Sequence, residues 1–284
     1  MSNKTLLFIM FLFTLSFVFA SCGSKETTPI TEEVTSDTEL ATTGQLSFAA
    51  NGEDFVRKGF VSSDGWEITF HHVYLTITDV TAYQTDPPYD PHSNEEITSD
   101  SKVKLNTTVT VDLAEGENNA APISVGVIEN VSTGHYNALS WKLVPAGSGL
   151  SEGYSILIEA QASKGDQSYN VTLGFEDSYR YYAGEFVGDT RKGFVTEETP
   201  GDLEMTFHFD HIFGDFTQPS DSDLNVMAIG FEPFAGLMQE GTVYEDLASL
   251  SQALPEETYE KLLEVLPTLG HTGEGHCFCT VIHE

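Results

Sequence analysis

Apolar and polar residues alternate along most of this chain, and the alternation has the period of two that belongs to half-buried strands. From Gly44 onward Leu46 and Phe48 alternate with polar neighbours, so ordered structure is expected to begin there. Across Glu67–Tyr83, Val73, Leu75 and Ile77 alternate with Tyr74, Thr76 and Thr78 until Asp79 and Val80 break the pattern. Thr108–Leu113, Val125–Val131 and His135–Val144 are further strand-length runs. Tyr154–Ala162 and Ser168–Phe175 flank Ser163–Gln167, whose Lys-Gly-Asp centre predicts a hairpin turn. Thr85–Asp100 is loop by its prolines, and Ser178–Phe186 is rich in tyrosine. Short strands at regular spacing, without helical periodicity up to about residue 240, predict a mainly β chain built as a β-sandwich.

The period then changes. Val243–Leu254 and Glu256–Leu266 show helical spacing, with Pro255 at the start of the second segment and Leu262, Leu263 and Leu266 on its apolar stripe. Gly270–Cys279 follows, placing His271, His276, Cys277 and Cys279 among three glycines, which let a backbone fold closely around a small object. The domain organisation read from these shifts is a sandwich over 44–240 and a helical segment with a Gly/His/Cys-rich tail over 241–284, packed on the sandwich.

One stretch combines strand pattern with chemistry. Glu204–Asp215 reads Glu-Met-Thr-Phe-His-Phe-Asp-His-Ile-Phe-Gly-Asp. Continued as a strand, it puts Met205, Phe207, Phe209 and His211 on one face and Glu204, Thr206, His208 and Asp210 on the other. Imidazole and carboxylate are ligands that divalent transition metals select, and three such side chains fall within four residues. An earlier stretch matches it: Arg57–Val61 followed by Glu67–His71 resembles Arg191–Val195 followed by Glu204–His208. Read as a two-copy repeat, this makes His71 the counterpart of His208. Read as convergence on an amphipathic strand, it carries no such equivalence.

The start of the chain has a different character. Lys4 precedes the apolar run Leu6–Ala20, too short to span a bilayer comfortably, and Phe19-Ala20-Ser21-Cys22-Gly23 places small residues before a cysteine. Residues 1–21 are expected to be a signal peptide of the bacterial lipoprotein type, with Cys22 the lipidated residue. Residues 22–43, rich in Thr, Glu and Ser, are expected to be a disordered tether. That implies a protein held at the bacterial cell envelope, at the periplasmic face of the outer membrane or the cell surface, touching the bilayer only through Cys22.

Charge narrows the partners. Twelve Lys+Arg stand against 44 Asp+Glu, a net −32, which excludes nucleic acid as a natural partner and favours cations. Setting Cys22 aside leaves Cys277 and Cys279, either soft metal ligands or a local disulfide rather than a disulfide framework. No Gly-x-Ser-x-Gly, helical His-Glu-x-x-His or phosphate-binding glycine loop is present, so enzyme activity is not indicated by motif. Asp221–Glu232 has the outline of a calcium loop, but Val226 stands where the sharp turn needs glycine, and it reads as a chance match.

Thr206–Asp215 and Leu269–Cys277 together resemble a group of uncharacterised bacterial lipoproteins, which share a Thr-x-His-x-Asp-His-x-Phe-x-Asp strand and a Gly-His…Gly-Glu-Gly-His-Cys tail. The resemblance implies that His208, Asp210, His211, His271 and His276 belong together. A weaker likeness, in the order of three strands, is to periplasmic copper-binding β-sandwich proteins. The expectation is a lipid-anchored, extracytoplasmic protein that binds a divalent transition metal for capture, sensing or delivery. Zinc is the first choice and copper the second. The ligands would be His208, His211, His271 and His276, with His71 as alternate and Asp210 as ligand or orienter, and an envelope protein is a further possible partner. The alternatives are a surface module binding protein or glycan through aromatics such as Tyr179, Tyr181 and Tyr182, and a metal-dependent hydrolase.

Overall fold

The computed structural model describes residues 42–184 and 186–282. The expected signal peptide, Cys22, nearly all of the tether and His283 lie outside these residues. With 45% strand against 18% helix, the chain is mainly β, as the alternation predicts.

Two sheets enclose the core. The smaller has four strands in the order Gly270–His271, Gly201–Phe207, Thr43–Asn51 and Ile123–Ser132, and its two middle strands run parallel. The larger runs Thr242–Asp246, Gln167–Phe175, Ile156–Lys164, Glu67–Gln84, Ala138–Leu143, Ser178–Ala183 and Cys277–Ile282, with three short strands also pairing on Glu67–Gln84. Leu46, Phe48, Met205 and Phe207 of the first sheet share one core with Val73, Leu75, Trp141 and Tyr181 of the second. Trp141 and Phe207 meet edge-on across it, ring centres 6.3 Å apart.

The 18-residue strand Glu67–Gln84 is the spine of the larger sheet, and its phase changes twice. Ile68 and Phe70 are buried, then Val73, Leu75 and Ile77, then Val80 and Ala82. Each change coincides with a register shift in pairing, between Phe70 and His72 and between Thr78 and Thr81. Inserting one residue in a strand swaps its faces, so these bulges return Val73, Leu75 and Ile77, then Val80 and Ala82, to the main core. At the second bulge Asp79 adopts φ 55° and its carboxylate receives Lys104, Lys142 and Arg180 at 2.5, 3.3 and 3.2 Å. The sequence break at Asp79 is therefore a bulge inside one strand.

Three expectations are corrected. The carboxyl end of the chain is not a segment laid on a finished sandwich. Thr242–Asp246 pairs in parallel with Gln167–Phe175, Gly270–His271 extends the smaller sheet, and Cys277–Ile282 forms an edge of the larger. The helical reading of Val243–Leu254 holds only from Leu247, where Asp246 caps the helix Leu247–Ala253 by accepting from the Ser249 N–H. Helix Glu256–Val265 falls where its spacing predicts. The two repeat-like stretches occupy different sheets: Phe60–Val61 pairs with Glu67–Ile68, whereas Phe194–Val195 pairs with Gly134–His135.

Candidate metal centre

Strand Gly201–Phe207 is the central support. It ends at Phe207, earlier than its alternation predicts, and Asp210–Phe213 forms a single helical turn closed by Gly214 at φ 70°. The strand reading of His208, Asp210 and His211 is thereby overturned. The turn is set by the tertiary surroundings: the His208 N–H donates to the Leu269 carbonyl, while Phe209, Ile212 and Phe213 are fully buried. The His211 N–H donates to the His208 carbonyl at 3.4 Å, and the turn this closes brings the two rings to one side.

Pairing of Thr206–Phe207 with Gly270–His271 brings a third imidazole alongside. The ring centres are 4.8 Å apart for His208 and His271, 5.2 Å for His211 and His271, and 5.5 Å for His208 and His211. His208, Asp210 and His211 each place one ligand atom within 4.8 Å of the other two. Ligands on a tetrahedral ion with bonds of about 2.1 Å sit about 3.4 Å apart, so modest side-chain adjustment closes the set.

Hydrogen bonding assigns the donor atoms. The Thr268 hydroxyl donates to the Val265 carbonyl at 2.7 Å, which uses its one hydrogen. Its contact of 2.9 Å with His211 Nδ1 must then be the ring N–H donating to Oγ1. That leaves the lone pair of His211 on Nε2. Burial pushes the His211 pKa down to about 3, assisted by the two neighbouring histidines, so the ring is neutral. His208 Nε2 and Asp210 Oδ1 are both buried without a hydrogen-bond partner. Burial raises the Asp210 pKa against the opposing influence of His208. Buried polar atoms are almost always paired, so orphans on two members of one ligand group fit an occupant that accepts both lone pairs.

His271 takes another role. Its Nε2 lies 2.8 Å from the Thr268 carbonyl and its Nδ1 3.1 Å from the Gly275 carbonyl, so in this rotamer neither nitrogen is turned to the group. Burial lowers its pKa, and its ring packs edge-on against the other two. His276 stacks on His92 at 4.4 Å, outside the ligand group, and joins His211 and His271 only in lining one cavity. His71 is exposed on Glu67–Gln84, in the other sheet from the strand Gly201–Phe207 that leads to His208. The structure thus gathers His208, Asp210 and His211 as donors, sets His271 beside them, and leaves His71 and His276 apart.

Two participants escaped the sequence. Glu53 Oε2 stands 3.8 Å from His208 Nδ1, and burial, with Glu274 and Asp210 nearby, raises its pKa to about 7. Glu53 adopts φ 55°, unusual for a residue with a Cβ, and its N–H is held by Asn51 Oδ1 at 3.0 Å. Asn51-Gly52-Glu53-Asp54 signals only a turn. Thr268 is likewise unmarked. The residues of the other readings fare differently. Tyr179, Tyr181 and Tyr182 are 1, 0 and 2% exposed, so they present no aromatic surface. In the calcium-like stretch Asp223–Met227 is a helix, and the Glu232 carboxylate accepts from Trp66 Nε1 and Lys164 Nζ, so the stretch does not form a cation loop.

No family model, curated protein or solved structure matches this chain.

Proposed function

We propose that this protein binds one divalent transition-metal ion through His208, Asp210 and His211 while held at the bacterial cell envelope by a lipid on Cys22, and that it serves metal capture, sensing or delivery. The observation that carries the reading is the group His208, Asp210 and His211, whose ligand atoms lie within 4.8 Å of one another, with His208 Nε2 and Asp210 Oδ1 buried and unpaired and His211 neutral. Two imidazole nitrogens and a carboxylate oxygen form a borderline donor set that suits zinc first and copper second. Thr268 holds the His211 tautomer and Glu53 faces the far nitrogen of His208, the arrangement that orients metal-bound imidazoles.

Three protein ligands leave further coordination positions to water or a passing ligand, which suits an ion that must be released. Elemental analysis of the untagged full chain, stripped with chelator and reloaded, tests the reading. About one equivalent is expected in the wild type, with loss in His208→Ala and in His211→Ala. Undiminished loading of the folded double variant would sink it.

A further inference from the structure

A cavity of ≈ 530 Å³ opens beside the histidine group, and its far wall is the edge strand Cys277–Ile282. Cys277 and Cys279 are opposite Ala183 and Tyr181 in the sheet, and both pack against the main core, whereas Phe278 between them turns away to stack on Tyr182. The two cysteines therefore share one face of the strand, and both line the cavity, as do Phe278 between them, Met227 and His276. Both are free thiols and half-buried.

Strand geometry decides what such a pair can do. Residues two apart on one strand face are about 6.7 Å apart at Cα, with Cβ vectors nearly parallel. A disulfide needs Cβ atoms about 3.8 Å apart, so it would require the strand to buckle. Two thiolates on one linear ion place their sulfurs about 4.5 Å apart, which inward rotamers reach with the strand intact. We infer that Cys277 and Cys279 form a second ion site, specific for a soft monovalent metal of the Cu(I) or Ag(I) class, with the Met227 thioether in the same cavity. Loading releases two thiol protons to solvent and binds one cation between two thiolates; no electron is transferred.

Burial supports the selectivity. It pushes the Cys279 thiol up to about 12 and raises the Cys277 thiol well above its ordinary value, so only an ion with strong affinity for sulfur displaces the protons at neutral pH. The nitrogen and oxygen group across the cavity takes borderline divalent ions instead, and the two sites do not depend on each other.

The test is anaerobic titration of the reduced full chain with Cu(I) against a chromophoric Cu(I) chelator, repeated with Ag(I) to exclude a redox effect. Wild type should hold one equivalent, and Cys277→Ser or Cys279→Ser should weaken it about 100-fold, with unchanged circular dichroism. His208→Ala should change it by less than about threefold, which separates this site from the one above. Near-wild-type affinity in the folded Cys277→Ser/Cys279→Ser variant overturns the proposal. So does a wild type that fails to compete with the chelator, or whose two thiols are joined as isolated.

Discussion

His211 donates from Nδ1 to the Thr268 hydroxyl at 2.9 Å, and that hydroxyl has already given its hydrogen to the Val265 carbonyl. The direction of one hydrogen bond thus fixes which nitrogen of a buried histidine carries a lone pair. Thr268→Val keeps the shape of the side chain and removes the acceptor. Metal affinity at His208, Asp210 and His211 is expected to fall about tenfold, measured by competition with a chromophoric chelator. Fold stability should change much less than the loss of a core side chain would.

The Glu53 carboxyl gives a pH dependence of defined sign. In the metal-free protein its pKa rises from 4.5 to about 7 on folding, so the folded state holds this proton more tightly. Its contribution to stability is full below about pH 4.5 and is lost as pH rises through about 7. His211 acts oppositely: its pKa falls from 6.5 to about 3 on folding, and its contribution is present above about 6.5 and lost as pH falls. Denaturant melts of wild type and Glu53→Gln compared from pH 4.5 to 8 isolate the first effect. The variant should gain on wild type as pH rises, and parallel curves would show that Glu53 titrates normally.

Phe209 anchors the turn that carries Asp210 and His211, fully buried and 6.0 Å from Phe70 at the ring centres. Phe209→Ala opens a cavity there and should cost about 3–5 kcal/mol in chemical denaturation. Because the turn hangs on this ring, metal loading should fall in the same variant under conditions where it remains folded.

Asn225 closes the loop that follows. Its side chain accepts from the Asp215 N–H and donates to three carbonyls. Asn225→Ala removes all of these at a partly exposed position and should destabilise by about 1–3 kcal/mol. Added calcium should leave the wild-type melting temperature unchanged, because Asp223–Met227 is a helix and the Glu232 carboxylate already accepts from Trp66 and Lys164.

How far residues alone led can be judged at particular places. Period-two alternation located Glu67–Gln84 and the hairpin Ile156–Phe175 because each side chain's burial there depends on its own parity. Even the break at Asp79 was visible, as a disruption of that parity. The same rule misled at His208–Phe213, where alternation continues on paper while the chain bends into a helical turn. That bend depends on the Leu269 carbonyl, 61 positions away, receiving the His208 N–H. Thr242–Asp246 was likewise a strand because an open edge at Gln167–Phe175 was waiting for it.

By itself the sequence determined a mainly β fold, a strongly acidic character and an unusual density of metal-ligand side chains at His208–His211 and His271–Cys279, since composition and local period are properties of the chain alone. Tertiary structure decided which of those side chains meet. It set His271 edge-on to His208 and His211, sent His276 to His92, left His71 exposed and brought Glu53 up to His208. The physical reason is that backbone pairing and hydrogen-bond direction between distant segments choose a donor's position and its lone pair, and neither is encoded within a few residues of the donor.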